Sequence, residues 1–357
     1  MKILTIIGAR PQFIKAAVVS KAIAKSGTIT EHILHTGQHF DPNMSDVFFD
    51  EMKIPRPIYR LDCGVGSHAE MTAKMLIEIE KAIVANKPDF VMVFGDTNST
   101  LAGALTAAKL HIPVIHVEAG LRSFNKKMPE EINRILTDHV SEYLFCPTKQ
   151  AVENLHKESI FNNVFYVGDV MYDAILAFNE VAARKSKILT ELTIFPKQYF
   201  LATVHRAENT DKKEKLEQIL SAFSQIASPQ SPVILPLHPR TKECIRKFGL
   251  QKRIPESIKI TEPVGYLDMI MLEKNANIIF TDSGGMQKEA YFQKVPCITL
   301  RNETEWIETV SAGWNQLVGH KMENILKAIS LVNNPKTEIQ DYGEGNSAEK
   351  IIEILCR

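Results

Sequence analysis

Three carboxylates stand where short apolar runs give way to polar loops. Asp96 follows the run at 90–94 through Gly95, Glu118 follows the run at 114–117, and Glu130 opens a helical pattern directly behind Pro129. Runs of this kind, bounded by turn residues, read as buried strands of a parallel sheet, and such a sheet binds its ligands outside the strands' carboxyl ends. Acidic groups meeting there would repel a bare phosphate, so they read as groups for proton transfer or for sugar hydroxyls. Glu131, the next residue, reads instead as the complement of a helix N-terminus.

The opposite chemistry gathers elsewhere. Thr281-Asp282-Ser283-Gly284-Gly285 runs from an apolar stretch into two glycines and a helix, an arrangement in which backbone N–H groups, the helix dipole and the Ser283 hydroxyl face one anion. Glu289, about a turn inside that helix, is placed to reach a ribose diol. His205-Arg206-Ala207-Glu208-Asn209 and Leu237-His238-Pro239-Arg240 end two further apolar runs. His205 has polar company and reads as functional, whereas His238 reads equally as a structural residue. Near the start, Gly8-Ala9-Arg10-Pro11-Gln12 offers a tight turn, a cation and a proline at a helix start whose free N–H groups suit a phosphate, with Lys15 one turn further on. Cations and a Gly-rich helix start in one half, set against carboxylates in the other, suit a nucleotide diphosphate that carries a sugar.

The elements that must position these groups are short β-branched runs alternating with helical patterns, which predicts an α/β fold of parallel sheets covered by helices on both faces. The candidate strands are residues 2–7, 33–36, 90–94, 114–117, 143–146 and 164–167 in the first half, and 199–204, 233–237, 258–260, 278–281 and 297–300 in the second. Two Rossmann-like, doubly wound domains facing a cleft account for this grammar economically. The expected division is an N-terminal domain at 1–170 with the carboxylates, a connector at 171–197, a C-terminal domain at 198–340, and a loop and helix at 341–357. The apolar face of that last helix needs a partner surface, and the sequence leaves open which domain supplies it.

Several functions are disfavoured. Lys plus Arg and Asp plus Glu are both 42 in 357 residues, so no basic excess points to nucleic acid or an acidic membrane surface. The expected partner is a small molecule. The five cysteines show no metal-ligand spacing and fit reduced thiols in a cytoplasmic protein, so neither disulfide nor zinc is expected. Two segments match the dinucleotide-binding pattern, Gly64-Val65-Gly66-Ser67-His68-Ala69 and Gly343-Glu344-Gly345-Asn346-Ser347-Ala348. The first follows no clear strand and the second lies too near the C-terminus, so NAD binding is rejected and no cofactor or metal is expected.

Taken together, the blocks resemble a known family over essentially the whole chain. They are Gly8-Ala9-Arg10-Pro11 with Lys15, Thr36-Gly37-Gln38-His39, Gly95-Asp96-Thr97, His116-Val117-Glu118-Ala119-Gly120-Leu121-Arg122, Pro129-Glu130-Glu131-Ile132-Asn133-Arg134, His205-Arg206-x-Glu208-Asn209, Asp282-Ser283-Gly284-Gly285 and Arg301-x-x-Thr304-Glu305. The chain resembles the non-hydrolysing UDP-N-acetylglucosamine 2-epimerases, which have a glycosyltransferase-B-like fold. The resemblance implies elimination of UDP to a 2-acetamidoglucal and its return with inversion at C2. It implies a catalytic set of Asp96, Glu118, Glu130 and His205. It places Arg10, Lys15, Ser283 and Gly285 on the diphosphate and Glu289 on the ribose. Gln38, His39, Arg122, Arg206, His238, Tyr266, Gly284 and Arg301 complete the expected UDP-sugar contacts, and a homodimer is the expected assembly.

Trp306 stands where the family usually has arginine, in Thr304-Glu305-Trp306-Ile307-Glu308. With Gln38-His39-Phe40-Asp41 and Pro263-Val264-Gly265-Tyr266, it makes the chain similar to the branch acting on UDP-2,3-diacetamido-2,3-dideoxy-D-glucuronate, and it marks Trp306 as a specificity residue. UDP-N-acetylglucosamine is the alternative substrate. A glycosyltransferase on the same fold is the alternative of another class.

Overall fold

The computed structural model describes residues 1–38, 49–332 and 337–357, and the chain forms two compact units, Met1–Ala177 with Gln340–Arg357 and Phe178–Ile339. The first contains β1 (Lys2–Ile7), α1 (Arg10–Ser26), β2 (Thr30–His35), β3 (Tyr59–Arg60), α2 (His68–Asn86), β4 (Phe90–Phe94), α3 (Asn98–Lys109), β5 (Val114–Val117), α4 (Pro129–Val140), β6 (Tyr143–Cys146), α5 (Lys149–Lys157) and β7 (Val164–Tyr166). Its seven strands run in the order β3-β2-β1-β4-β5-β6-β7, and every pairing is parallel. The winding direction reverses between β1 and β4, so the loops after these strands flank the switch point where such sheets bind ligands. Arg10 follows the first of these loops, at the start of α1, and Asp96 lies in the second.

Central strands are covered on both faces, which is why they read as continuous apolar runs. Leu4, Ile6, Val91 and Val93 pack with Ile79 and Ile83 of α2 and with Ala102 and Ala107 of α3. Small residues let α3 approach closely: a Cβ on Gly103 would lie 3.0 Å from Ile6 Cδ1 and 3.1 Å from Val93 Cγ1. The helix α6 (Val170–Lys185) follows β7, and α15 (Ser347–Leu355), the last element, returns to the first unit. There the Ala348 N–H donates to Asp173 Oδ2 at 2.7 Å, and Ile351 and Ile352 are buried. The question the sequence left open is answered in favour of the N-terminal unit.

The second unit holds α7 (Ile188–Glu191), β8 (Phe200–Thr203), α8 (Ala207–Thr210), α9 (Lys213–Ile226), β9 (Val233–Pro236), α10 (Pro239–Lys247), β10 (Ile258–Thr261), α11 (Tyr266–Asn275), β11 (Ile278–Thr281), α12 (Gly284–Phe292), β12 (Cys297–Thr299), α13 (Ile307–Ser311), β13 (Asn315–Leu317) and α14 (Met322–Ser330). Its six parallel strands run β10-β9-β8-β11-β12-β13, the same winding, with the switch between β8 and β11. The loops there carry His205 and Ser283-Gly284-Gly285.

Two strands were not anticipated, β3 and β13. Both are short edge strands, and Asn315-Gln316-Leu317 is too polar to give an apolar run. β2 begins earlier than expected because its first residues, Thr30 to His32, are polar and carry no hydrophobic signal. Among the described residues, no helix is long and apolar enough to cross a membrane.

Candidate active site

In the first unit the carboxylates come with their own cations. The Lys15 ammonium lies 2.5 Å from Glu118 Oε2, with side chains only 6% and 8% exposed. Glu118 sits at φ 78, a left-handed conformation that costs a non-glycine residue of order 1 kcal/mol and is kept only where the surroundings impose it. Its N–H and that of Ala119 both donate to the Phe145 carbonyl, which turns the chain at the end of β5. Gly95 is left-handed too, and a Cβ there would point at Lys15 Nζ (3.3 Å) and Glu118 Oε1 (3.5 Å).

Asp96 is held from α4. Arg134, almost fully buried, donates through Nη2 to Asp96 Oδ2, and Asn133 Nδ2 donates to the Asp96 carbonyl at 2.9 Å. Burial nonetheless raises the Asp96 carboxyl above the ordinary aspartate range. Arg134 opposes that shift, Glu130 and Glu118 add to it, and Lys15 opposes it. Asp96, Glu118, Glu130, Lys15 and Arg134 therefore share one electrostatic neighbourhood. Asp96, Glu118 and Glu130 were expected together; Arg134 was not singled out, and Lys15 stands among the carboxylates instead of with a phosphate-binding turn.

Other expectations are corrected by hydrogen bonding. The turn after β1 does not offer free N–H groups, because Gln12 Oε1 accepts from Gly8 N (2.8 Å) and Ala9 N (3.0 Å) while its amide donates to the Phe94 carbonyl and Thr100 Oγ1, each at 3.0 Å. Arg10 remains as the half-buried first residue of α1. Gln38 accepts from Ser99 N (3.1 Å) and Ser99 Oγ (2.7 Å), at the start of α3, and is therefore a loop-to-helix tie. His39 lies outside the described residues. Arg122, expected on the ligand, is buried and engaged by protein: a fork to Glu158 at 2.7 and 2.6 Å, Asp138 Oδ2 at 2.7 Å and the Leu121 carbonyl at 2.6 Å. Its place is structural.

Glu131 is more than a helix-end charge. It accepts from Ser123 N, Ser123 Oγ and Phe124 N at 2.8–2.9 Å and from Arg134 at 3.1 Å, so it fixes the loop ahead of α4 to the arginine that holds Asp96. A second buried group, unanticipated, is His116 with Asp138: Nδ1 meets Asp138 Oδ1 at 2.7 Å and Nε2 meets the Gly95 carbonyl at 2.8 Å. Asp138 also accepts from Gly120 N and Arg122; burial pushes its carboxyl up, but His116 and then Arg122 hold it below the ordinary range. The signal available in the sequence was only that α4 carries five charged or polar residues on its buried side.

In the second unit, α12 begins at Gly284 with no side chain capping it. A Cβ on Gly284 would meet Glu305 Oε1 at 2.2 Å, whereas one on Gly285 would meet nothing within 4 Å, so open space lies before the helix start. Ser283 is half-buried at this helix start. Glu289 is buried further along the helix. Asp282 is not a ligand candidate: fully buried, it accepts from His205 N (3.0 Å), Arg206 N (3.1 Å) and Asn209 Nδ2 (3.1 Å), tying the loop after β8 to the loop after β11.

His205 places Nδ1 3.3 Å from Asp282 Oδ1, keeps 39% of its side chain exposed, and has its ring 5.8 Å from that of His238. His238 resolves toward the structural reading. Its Nδ1 accepts from Arg240 N at 3.2 Å, capping α10. Although the residue keeps exposed surface, desolvation of the ring, then the His205 and Arg240 charges, push it down to about 4. Arg206 is the residue before α8, and Tyr266 opens α11 with its ring buried edge-on to Phe178 at 6.0 Å. Arg301 is buried and donates to Glu305 Oε2 at 3.0 Å. Trp306 is buried too, its ring centroid 3.9 Å from the ammonium of Lys288, a residue the sequence reading passed over. Among the described residues, no group of His, Cys, Asp and Glu is arranged to share a metal ion.

Comparison with known proteins was consistent along the chain. A family model described as UDP-N-acetylglucosamine 2-epimerase matches residues 21–356. A Methanococcus maripaludis protein called a UDP-N-acetylglucosamine 2-epimerase homolog is 56% identical, with 99% of each chain covered. The UDP-2,3-diacetamido-2,3-dideoxy-D-glucuronate 2-epimerase of Pseudomonas aeruginosa is 50% identical over the whole of both chains. The crystal structure of the Methanocaldococcus jannaschii UDP-GlcNAc 2-epimerase in complex with UDP-GlcNAc and UDP superposes with a TM-score of 0.94 at 48% identity, covering 100% of this chain and 99% of that one. The two parallel sheets, the strand-end carboxylates and these matches agree: the chain belongs to the UDP-N-acetylglucosamine 2-epimerase family of isomerases.

Proposed function

We propose that the chain interconverts UDP-2,3-diacetamido-2,3-dideoxy-D-glucuronate and its manno epimer by anti elimination of UDP and re-addition, in the supply of sugar for a bacterial surface polysaccharide. The observation that carries the reaction class is the cluster of Asp96, Glu118 and Glu130 with two buried cations, Lys15 and Arg134. In the forward half a carboxylate takes the C2 proton while the C1–O bond breaks, and the electron pair leaves with the UDP oxygen, forming C1=C2. In the return half the UDP oxygen re-adds to C1 and a carboxylic acid delivers a proton to C2 from the other face. A positioned base supplies a factor of ~10²–10⁴ and fixed charge on the leaving diphosphate much of the rest. Asp96, raised by burial, suits the proton-donating role. The start of α12 with Ser283 and Gly285, joined by Arg10, is assigned to the diphosphate, Glu289 to the ribose and His205 to the catalytic set.

The substrate rests on Trp306 and on the 50% identical Pseudomonas relative named for that uronate. UDP-N-acetylglucosamine is the second reading, favoured by the names of the Methanococcus and Methanocaldococcus relatives. Incubation with each UDP-sugar in D₂O, without acceptor, is expected to place deuterium at C2 and to proceed faster with the uronate. A reversed preference would transfer the proposal to UDP-N-acetylglucosamine. No exchange with either, or sugar transfer to an added acceptor with C2–H retained, would defeat the epimerase mechanism in favour of a transferase. A homodimer in the cytoplasm belongs to the same proposal, and light scattering of the purified protein at twice the chain mass is its check.

A further inference from the structure

We propose that Lys288 and Trp306 act as one unit that sets a fixed positive charge behind the anion-binding start of α12, and that this pair, not Trp306 alone, selects the UDP-sugar. The inference rests on the assignment of UDP to that helix start and adds the residues that tune it.

Lys288 follows Gly284 by four residues, so it lies one turn along α12 on the same helix face. It is 1% exposed, and its ammonium stands 3.9 Å from the Trp306 ring centroid. The indole is fixed in turn. Trp306 N donates to Thr304 Oγ1 at 3.0 Å, and Thr304 donates to Gln287 Oε1 at 2.6 Å, so the loop before α13 is tied to the residue adjacent to Lys288. The same loop reaches the helix start directly: a Cβ on Gly284 would lie 3.7 Å from Trp306 Nε1 as well as 2.2 Å from Glu305 Oε1. Ammonium, indole and carboxylate are therefore packed together immediately behind the turn assigned to the diphosphate.

A lysine on the surface would be screened and would contribute little at that distance. Out of water its field reaches the helix start at much lower effective dielectric, while the indole face offsets part of the cost of burying it. If Lys288 served only to neutralise Glu305, its loss would alter stability and leave UDP binding unchanged. The pairing also has a consequence for specificity. Trp306→Arg alone would press a guanidinium against a buried ammonium, whereas Lys288→Glu together with Trp306→Arg restores an opposite-charge pair in the same space.

The test uses the full chain and measures UDP affinity by calorimetry, alongside kcat/KM for the two candidate UDP-sugars. Lys288→Met and Trp306→Leu are each expected to weaken UDP binding about tenfold, the order expected for losing one partly shielded charge interaction. Their combination should be little worse than either, because the two remove one interaction. Lys288→Arg should retain most of the affinity. Trp306→Arg should melt below Trp306→Leu, and the double variant Lys288→Glu/Trp306→Arg should regain that stability and move the ratio of kcat/KM between the two substrates by about tenfold, the change produced by one good polar contact. UDP binding by Lys288→Met within twofold of the parent, or additive losses, would overturn the proposal. Should Lys288→Met not fold, Lys288→Arg and Trp306→Leu decide the matter: equal and undiminished affinity in both would overturn it. Deuterium incorporation at C2 by the unaltered chain separates these outcomes from failure of the epimerase reading itself.

Discussion

Removing the Lys15 ammonium is the sharpest test of how the carboxylate cluster is held. The pair with Glu118 is 2.5 Å long and both side chains are more than nine-tenths buried. Lys15→Met keeps most of the aliphatic stem but leaves a carboxylate out of water in a neighbourhood that already contains Asp96 and Glu130. Breaking one side of a buried pair costs about 3–5 kcal/mol, since the remaining charge has lost its hydration and its partner. At about 2–4 °C per kcal/mol for a unit of this size, the melting temperature of the first unit should fall by roughly 6–20 °C. Glu118→Gln alone should also destabilise, because it strands the ammonium, while Lys15→Met/Glu118→Gln removes both charges and should regain most of the loss. The assay is thermal unfolding by calorimetry at neutral pH and in mild acid. In Lys15→Met the deficit should shrink on acidification, as protonation abolishes the stranded charge. A loss below about 1 kcal/mol in Lys15→Met, or strict additivity in the double variant, would refute the view that the two form one desolvated unit.

The remaining expectations concern neighbouring groups. Gly285→Ala faces open space and should leave the melting temperature within about 2 °C, the range of a neutral substitution, yet weaken UDP binding measured by calorimetry by filling the approach to α12. Gly284→Ala runs into Glu305 and should lose stability as well as affinity; equal behaviour of the two glycines would argue against the contact. Asp138→Asn should cost about 1–3 kcal/mol at neutral pH by urea titration, because the buried Arg122 keeps Glu158 but loses its second carboxylate and His116 loses its charged partner. As the folded-state pKa of Asp138 is lowered, its contribution is present above the unfolded value of about 3.9 and is lost as pH falls through the lower folded value, so the variant should lack that part of the acid transition. Asp96 has the opposite sign. Its folded-state pKa is raised, so stability declines as pH rises through that value, and Asp96→Asn should be as stable as the parent or more so at neutral pH while losing deuterium exchange at C2. A melting temperature that drops more at pH 7 than at pH 4 would contradict this.

Central parts of both sheets were legible because parallel strands buried on two faces leave unbroken apolar runs. Lys2–Ile7, Phe90–Phe94, Val114–Val117 and Ile278–Thr281 carry the boundaries expected from their residues. Edge strands are set by pairing with a neighbour rather than by burial, so Tyr59–Arg60 and Asn315–Leu317 left no trace. The electrostatic grouping of Asp96, Glu118 and Glu130 followed from strand-end placement. What residue type could not disclose was the use to which each polar group is put. The turn after β1 looked ready for a phosphate, and only coordinates show Gln12 already occupying its N–H groups. Arg122 looked like a ligand cation until Glu158, more than thirty residues away, proved to hold it.

The carboxylates of the two units divide by what surrounds them. Glu131, Asp138 and Asp282 each accept several N–H or O–H donors from the protein, and such groups lock loops because every lone pair already has a fixed direction. Asp96 and Glu118 instead pair with buried cations, Arg134 and Lys15, and Glu118 acts electrostatically on Asp96, an arrangement in which adding or removing one proton changes the balance of the cluster. That difference is why the proposed function gives proton transfer to the second group and not to the first, although all five are aspartate or glutamate. It also explains the division of labour proposed between the units. Lys15 and Arg134 are engaged by carboxylates, whereas Lys288 lies buried behind the start of α12, the segment assigned to the diphosphate.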